Sequence, residues 1–257
     1  MPESQKEVYY LVAPGGRKQA EASPYLEAMR ARGYEVLFLY AHVDEFVMQH
    51  VRRHKGKDLV SAEAATFEDT SNEEDTNAED TDAEKKNSTT LSPARMASLC
   101  DWFAHEALAG RVTRVSTSTR LTATPALLVG HEPEAMRRYR AMLTMMSDEA
   151  TAAKLDELQN AAALELNPKH AVVKGIERLV RAAKDEKDGG DDGEKKAENV
   201  RVAKLLAEQV FDNARVSAGA LDDPREMVGR IHEILEIALG RLEKDDAGSA
   251  DAGSADA

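Results

Sequence analysis

Two adjacent glycines are the first residues in this sequence that could do chemistry. Gly15 and Gly16 follow the β-prone run Val8–Ala13 and precede a helical stretch, so their backbone N–H groups could hold a phosphate. The Gly-x-Gly-x-x-Gly spacing and the Gly-x-x-x-x-Gly-Lys-Ser/Thr spacing are both absent. A strand-to-helix turn without a ligand therefore explains these glycines better.

Two histidines are the next candidates, because His50 and His54 have the four-residue spacing of zinc ligands on one helix face. Val51 stands where a metalloprotease needs its glutamate base, and no third ligand is evident. The alternative is a solvated basic helix face, shared with Arg52, Arg53 and Lys55.

The single cysteine, Cys100, lies beside Leu99 in an apolar stretch, which favours a small buried side chain over a nucleophile. One cysteine also excludes an internal disulfide framework and a multi-cysteine metal site. No Gly-x-Ser-x-Gly elbow is present. The residues therefore predict no catalytic site, no metal site and no cofactor within this chain.

A methionine-rich segment is the most unusual local feature. It contains Met136, Tyr139, Met142, Leu143, Met145 and Met146. Flexible thioethers adapt to irregular partners, which suits a surface that binds many different sequences. An ordinary core helix with methionine as filler explains the same pattern and stays open.

Residues 7–60 have the pattern of a small α/β unit. The sequence predicts strands at 8–13, at 34–40 and, more briefly, at 57–60. A helix over 17–31 should break near Ser23-Pro24 and end at Gly33, and Asp44 should cap the next helix. Strands separated by a helix predict a parallel pair with a right-handed crossover.

Acidic residues are concentrated in low-complexity segments, although the net charge of the whole chain is −13. Residues 62–92 are predicted to be a disordered linker and residues 243–257 a disordered tail. The remainder is nearly neutral, which predicts no nucleic-acid partner. The sequence contains no run of about 18 apolar residues, so it predicts no membrane span. The predicted division is 1–61, 62–92, 93–242 and 243–257.

Residues 93–183 have a mixed pattern. Helices are predicted from Ser92-Pro93 to Gly110, from about Pro133 to Met146, and from Pro168 to about Ala183. The alternating run Arg111–Leu121 predicts a half-buried antiparallel strand, with residues 126–130 as its partner.

Residues 198–242 show the strongest pattern, two amphipathic helices joined near Gly219 and Pro224. Their apolar stripe is wider than one neighbouring helix can cover. We expect it to pair with its own copy as an intermolecular four-helix bundle. The predicted dimer interface contains Leu206, Val210, Phe211, Val228, Ile231, Leu235, Ala238, Leu239 and Leu242.

A series of motifs, in a shared order over more than 200 residues, resembles the heat-shock protein 90 chaperones. The part similar to the end of that family's middle domain contains Val8-Tyr9-Tyr10-Leu11, Ser23-Pro24-Tyr25-Leu26-Glu27, Gly33-Tyr34-Glu35-Val36-Leu37 and Lys57-Asp58-Leu59-Val60-Ser61. The part similar to its C-terminal domain contains Arg120-Leu121, Pro125-Ala126, Leu164 to His170, and Asp222 to Arg230. Tyr9 to Pro14 and the Asp-Asp-Pro-Arg helix start look closest to the mitochondrial branch.

The resemblance implies an α+β fold: a small α/β unit with a short parallel sheet, then a mixed α/β dimerisation domain ending in the helical hairpin. It implies a homodimerisation and client-binding module, with unfolded proteins as partners and mitochondria, or alternatively the cytoplasm, as location. ATP and Mg²⁺ would belong to the full-length protein, upstream of this chain, which is therefore expected not to be an enzyme. The alternative is a small α/β nucleotide-binding enzyme with a helical dimerisation domain.

Overall fold

The computed structural model describes residues 1–67, 90–148, 162–185, 192–221 and 223–251. It is a mixed α/β structure with two small sheets. The first group of elements is β1 (Val8–Val12), α1 (Arg17–Ala22), a 3₁₀ turn (Pro24–Leu26), α2 (Glu27–Ala31), β2 (Val36–Leu39), α3 (His42–His50), β3 (Arg53–His54) and β4 (Lys57–Ser61).

The first sheet has the order β2-β1-β4-β3, and β1 is parallel to both β2 and β4. The predicted parallel pair and the helix break at Ser23-Pro24 are confirmed. Asp44 is not the helix cap, because α3 begins after Ala41. The Asp44 carboxylate instead accepts a hydrogen bond from the Ala41 N–H at 3.0 Å, one turn inside the helix.

The second sheet differs from the prediction in its pairing. The elements are α4 (Pro93–Trp102), a π-helical turn (Phe103–Ala107), β5 (Val115–Thr117), β6 (Ala126–Val129), α5 (Glu134–Met146) and β7 (Ala163–Leu166). The strand order is β5-β7-β6, so β5 and β6 do not pair. The strand β7 lies between them, parallel to β5 and antiparallel to β6.

The remaining elements are helices: α6 (Ala171–Asp185), α7 (Asp192–Ser217), a 3₁₀ turn (Pro224–Met227) and α8 (Val228–Asp251). Pro168 is not the first residue of a helix, because the chain turns at residues 168–169 and α6 begins at Ala171. The side chain of Asn167 stabilises this turn by accepting from the N–H of Lys169 at 3.0 Å.

Both ends of the predicted acidic linker belong to the folded structure. Ala62, Ala65 and Leu91 are buried, and the Phe67 ring packs against Tyr9 at a centroid distance of 5.8 Å. Residues 68–89 of that prediction lie outside the described residues. The predicted tail is also shorter, because α8 continues to Asp251, and only residues 252–257 lie outside the description.

The two groups of elements share one core. Buried apolar side chains form a contiguous cluster that extends from Tyr9 in β1 to Ala218 after α7. Arg120, itself buried, donates to the carbonyl oxygens of Glu63 and Ala65 at 3.1 and 3.0 Å. The division into domains predicted from the sequence stays a prediction, but residues 1–67 pack directly on the second group.

None of the described helices is both long enough and apolar enough to span a bilayer.

Candidate functional site

Helix α5, which carries the methionines, begins directly after Pro133, and its arginines form ion pairs and a hydrogen bond. Arg140 pairs with Glu132 at 3.0 Å and Arg138 pairs with Glu134 at 2.5 Å. Arg137 donates to the carbonyl oxygen of Gly219, just after α7. Of these contacts, the one made by Arg137 reaches another part of the fold and holds that side of α5 toward the end of α7.

The outward face of α5 carries mostly apolar side chains, and the exposed Arg138 lies on it one turn before Met142. Met145 is 89% exposed and Met146 78%, while Tyr139 and Met142 are about half exposed. Met136 and Leu143 are half-buried beneath them. An ordinary core helix does not fit this placement, because core methionines are buried.

A second helix extends the apolar surface. The ring of Phe46 in α3 meets the ring of Tyr139 edge-on, with centroids 6.0 Å apart. Val43, Val47 and Val51 are also exposed along α3 and its end. The placement of α3 beside α5 has no local sequence signal, so sequence reasoning did not find this extension of the surface.

The predicted dimer residues divide into two groups. Val228, Leu235 and Leu239 on α8 are 43–60% exposed, Ala238 is exposed, and Leu206 and Ile231 are half-buried. Val210 and Phe211 are instead buried in the chain's own core, so their assignment to an outer face is wrong. The side chain of Leu242 lies outside the described residues.

An apolar groove of about 220 Å³ runs between α7 and α8 beside the exposed leucines. Its lining consists of Val202, Leu205, Leu206, Ile234, Ile237 and Ala238. All six are aliphatic, so the groove offers nothing to a polar ligand and suits the aliphatic side chains of another helix.

One buried carboxylate holds α8 against α7. Asp212 accepts from Arg111 at 3.0 Å, from Arg215 at 3.2 Å and from Arg230 at 2.5 Å. Arg230 also pairs with Glu208 at 3.2 Å. Burial alone would raise the pKa of Asp212, but the arginines hold it below its ordinary value. The group is therefore a carboxylate at neutral pH, and the start of α8 is fixed by charge.

The glycine turn does not offer the backbone donors that the alternative of a phosphate site requires. The N–H of Gly15 donates to the side chain of Gln19 at 2.7 Å, and the N–H of Gly16 donates to the carbonyl of Ala13 at 2.9 Å. Gly16 has a φ of 87°, which explains glycine at this turn without a ligand.

A cavity of about 360 Å³ beside this turn is lined by the carboxylates of Glu45, Glu63 and Glu134. Burial, followed by the charge of Glu134, raises the pKa of Glu45. Burial and the charge of Glu45 raise the pKa of Glu63 to about 7. Such a lining repels phosphate, so this cavity does not support the alternative of a nucleotide-binding enzyme.

The histidine pair is not on one helix face, because α3 ends at His50 and His54 lies in β3. Within the described part of the chain, no group of three histidine, cysteine or acidic side chains is placed to hold a metal ion. Cys100 is buried, and burial raises the pKa of its thiol, as expected for a packing residue.

Comparison with known proteins shows the family of this chain. The family model described as Hsp90 protein matches residues 1–256. The chain is 35% identical to the heat shock protein 75 kDa, mitochondrial, of Rattus norvegicus, over 92% of this chain and 30% of that protein. It is 34% identical to the chaperone protein HtpG of Desulfitobacterium hafniense, over 93% of this chain and 33% of that protein. The chain thus spans about a third of the length of these relatives.

A third relative is the mitochondrial TNF receptor-associated protein 1 homolog of Dictyostelium discoideum, 30% identical over 93% of this chain and 29% of that protein. These mitochondrial relatives confirm the expected mitochondrial location. The expectation that this chain is not an enzyme is wrong. The family model matches residues 1–256, almost the whole chain, so the match does not support setting this chain apart as a non-enzymatic fragment. By this match and these identities, the chain belongs to the Hsp90 family.

Proposed function

We propose that this chain is the C-terminal part of an Hsp90-type chaperone, in which it joins two subunits and holds partly folded client proteins. The observation that carries the proposal is the exposed apolar face of α8, where Leu235 is 54% exposed and Leu239 60% beside an aliphatic groove. Covering such a row of large aliphatic side chains with a second apolar surface is favourable, because it removes apolar surface from water.

The occupant we propose for that face is a second copy of α7 and α8. Two helices from each copy would form a four-helix bundle about a twofold axis. An obligate interface of this kind buries on the order of 2,000 Å² or more. Arg201 supports the arrangement within one chain, because it pairs with Glu198 at 2.9 Å and also with Glu233 of α8.

Sedimentation velocity at micromolar concentration tests the dimer. We expect the wild type to sediment as a dimer and Leu235→Asp to sediment as a monomer, because the interface would bury an unpaired charge. Glu236→Gln is the matched control, since it changes one charge on the polar side of the same helix turn. A monomeric wild type, or a Leu235→Asp variant that stays dimeric, would remove the proposal.

The second part of the proposal is client binding on α5. Met145 and Met146 are the most exposed apolar side chains of this helix, and the Phe46–Tyr139 contact joins them to α3. Thioethers repack around different sequences at low cost, so one surface can hold many unfolded segments.

Suppression of client aggregation tests this part. Met142→Gln together with Met145→Gln should weaken the suppression of citrate synthase aggregation, while the circular dichroism spectrum and the dimer mass stay unchanged. Thr144→Gln on the same helix serves as the control. Equal suppression by the wild type and the methionine variant would contradict the client site.

In the whole protein, we propose that ATP and Mg²⁺ drive the cycle in which clients are held and released. This rests on membership of the Hsp90 family and on the chaperone names of the relatives.

A further inference from the structure

The short hairpin after α3 is strongly basic, although the formal net charge of the chain is −13. Its cationic side chains are all exposed and belong to Arg52, Arg53, Lys55 and Lys57. Arg53 pairs with Asp58 at 3.3 Å. Within the described ranges, neither Arg52 nor Lys55 pairs with a carboxylate, so their charges are available to a partner.

The turn of the hairpin presents one of these charges at its tip. Arg53 is opposite Asp58 and His54 is opposite Lys57, which leaves Lys55 and Gly56 as a two-residue turn. Both have positive φ, 47° and 80°, as in a type I′ turn. Lysine is a costly residue at the first position of such a turn, where asparagine is the usual choice.

An apolar row leads directly into this basic hairpin. Val43, Val47 and Val51 follow one another at four-residue spacing, so they lie along one face of α3 and its C-terminal end. They are 61%, 47% and 44% exposed. Arg52 comes next in the chain, so the apolar row ends where the positive charges begin.

We propose that these valines and the hairpin over residues 52–57 form a docking surface for polypeptide segments in which apolar residues are followed by Asp or Glu. The inference specifies the class of client segment and rests on the proposed chaperone function. Valines would cover the apolar half of the segment, and Arg52 and Lys55 would pair with its carboxylates. A polypeptide fits better than a nucleic acid, because the exposed valine row matches apolar side chains, whereas a nucleic-acid backbone would engage only the positive charges.

Fluorescence anisotropy of labelled peptides tests the surface. The probe peptide has a Leu/Val half followed by an Asp/Glu half, and its matched partner has Asn and Gln in place of the acids. We expect the acidic peptide to bind about tenfold more tightly than the neutral one at low salt, and this difference to shrink in high salt.

Variants locate the binding. Arg52→Gln with Lys55→Asn should weaken the acidic peptide about tenfold and leave the neutral peptide unchanged. Asparagine relieves the strain of the turn, so this variant keeps its folding stability and lost binding cannot be ascribed to unfolding. Lys18→Asn on α1 removes one exposed charge outside the surface and is the control. Val47→Ser should weaken both peptides.

Several results would overturn the inference. Equal binding of the acidic and neutral peptides would remove it, as would tighter binding of single-stranded DNA or of anionic vesicles. Replacing the acidic residues within 68–89 by Asn and Gln tests for competition from the chain itself. A rise of about tenfold in peptide affinity would mean that those acidic residues, and not another protein, are the natural ligand of the surface. The Met142/Met145 variant separates the two proposals: a failed aggregation test with intact peptide binding counts against the α5 site alone.

Discussion

The phenolic hydroxyl of Tyr25 donates a hydrogen bond of 2.7 Å to the carbonyl oxygen of Leu128. Tyr25 belongs to the 3₁₀ turn of the first sheet's unit, and Leu128 lies in β6 of the second sheet. The tyrosine is 2% exposed, so water cannot replace this bond. The contact makes the two groups of elements depend on one another for stability.

Tyr25→Phe should therefore lower the free energy of unfolding by about 1–3 kcal/mol, because it leaves the buried Leu128 carbonyl without its donor. Urea unfolding measures the change as a lower midpoint with an unchanged slope. Tyr139→Phe removes a hydroxyl from an exposed tyrosine and should have almost no effect. Similar midpoints for Tyr25→Phe and the wild type would show that the contact is not energetically significant.

Glu27 provides a second contact between the groups, with a defined pH dependence. Its carboxylate accepts from the backbone N–H groups of Thr122 at 2.6 Å, Ala123 at 2.9 Å and Thr124 at 3.1 Å. Burial alone would raise its pKa, but these hydrogen bonds and those of the threonine hydroxyls lower it below the ordinary 4.5. The stabilisation is therefore complete above about pH 4.5 and is lost as the pH falls through the lowered pKa.

Glu27→Gln should destabilise the protein by about 2 kcal/mol at pH 7 and by less near pH 3. Unfolding in urea over this pH range measures the difference. Glu21→Gln, which breaks an exposed ion pair with Arg17, is the control and should change stability by under about 1 kcal/mol. A loss that is the same at both pH values would contradict the role of the charge.

Glu63 has the opposite pH dependence. Its pKa of about 7 results from burial and from the charge of Glu45, and Arg120 lowers it only in part. The folded protein therefore binds a proton that the unfolded chain releases near pH 4.5, so stability is full below about pH 4.5 and declines as the pH rises through 7. His131 is 3.6 Å away, and burial lowers its pKa to about 4, so it remains neutral and does not compensate.

The free energy of unfolding of the wild type should fall by up to about 3 kcal/mol between pH 5 and pH 8. Glu63→Gln should lack this fall, because glutamine does not ionise. Thermal unfolding at the two pH values measures the effect, with the exposed Glu35→Gln as control. A wild type whose stability is unchanged between pH 5 and pH 8 would show that Glu63 is ionised normally.

Local sequence patterns predicted the first sheet well. The apolar run at β1, the proline and glycines after it and the run at β2 each act over a few residues, so their parallel pairing followed from the intervening helix. The methionine helix was placed within one residue for the same reason. Its exposed face was not decided by the pattern, because methionine is common both in cores and on binding surfaces.

The second sheet was mispredicted because its pairing is decided far along the chain. Arg111 to Leu121 alternates in polarity, but only Val115–Thr117 forms a strand, and it pairs with a segment about 50 residues later. That partner, β7, follows β6 and α5 in the chain, so its insertion between β5 and β6 has no local sequence signal. Phe211 was assigned to a surface since helical periodicity cannot say which of two apolar faces meets the core.

Asp212 links this core to the proposed dimer without lying on the interface. Its side chain is 5% exposed, and Arg111, Arg215 and Arg230 all donate to it. Asp212→Asn would keep the size of the side chain but leave the arginines around a neutral group. Breaking a buried charge network in this way costs about 3–5 kcal/mol.

We expect Asp212→Asn to weaken the dimer as well as the fold, because Arg230 would no longer hold the first turn of α8 against α7. In this variant Leu235 and its neighbours are unchanged. Sedimentation velocity should nevertheless show a monomer at a concentration where the wild type is a dimer, and urea unfolding should show the lower stability. Asp101→Asn, which alters an exposed aspartate on α4, should change neither. A stable, dimeric Asp212→Asn variant would mean that the apolar face of α8 alone sets the helix in place, independently of the charge beneath it.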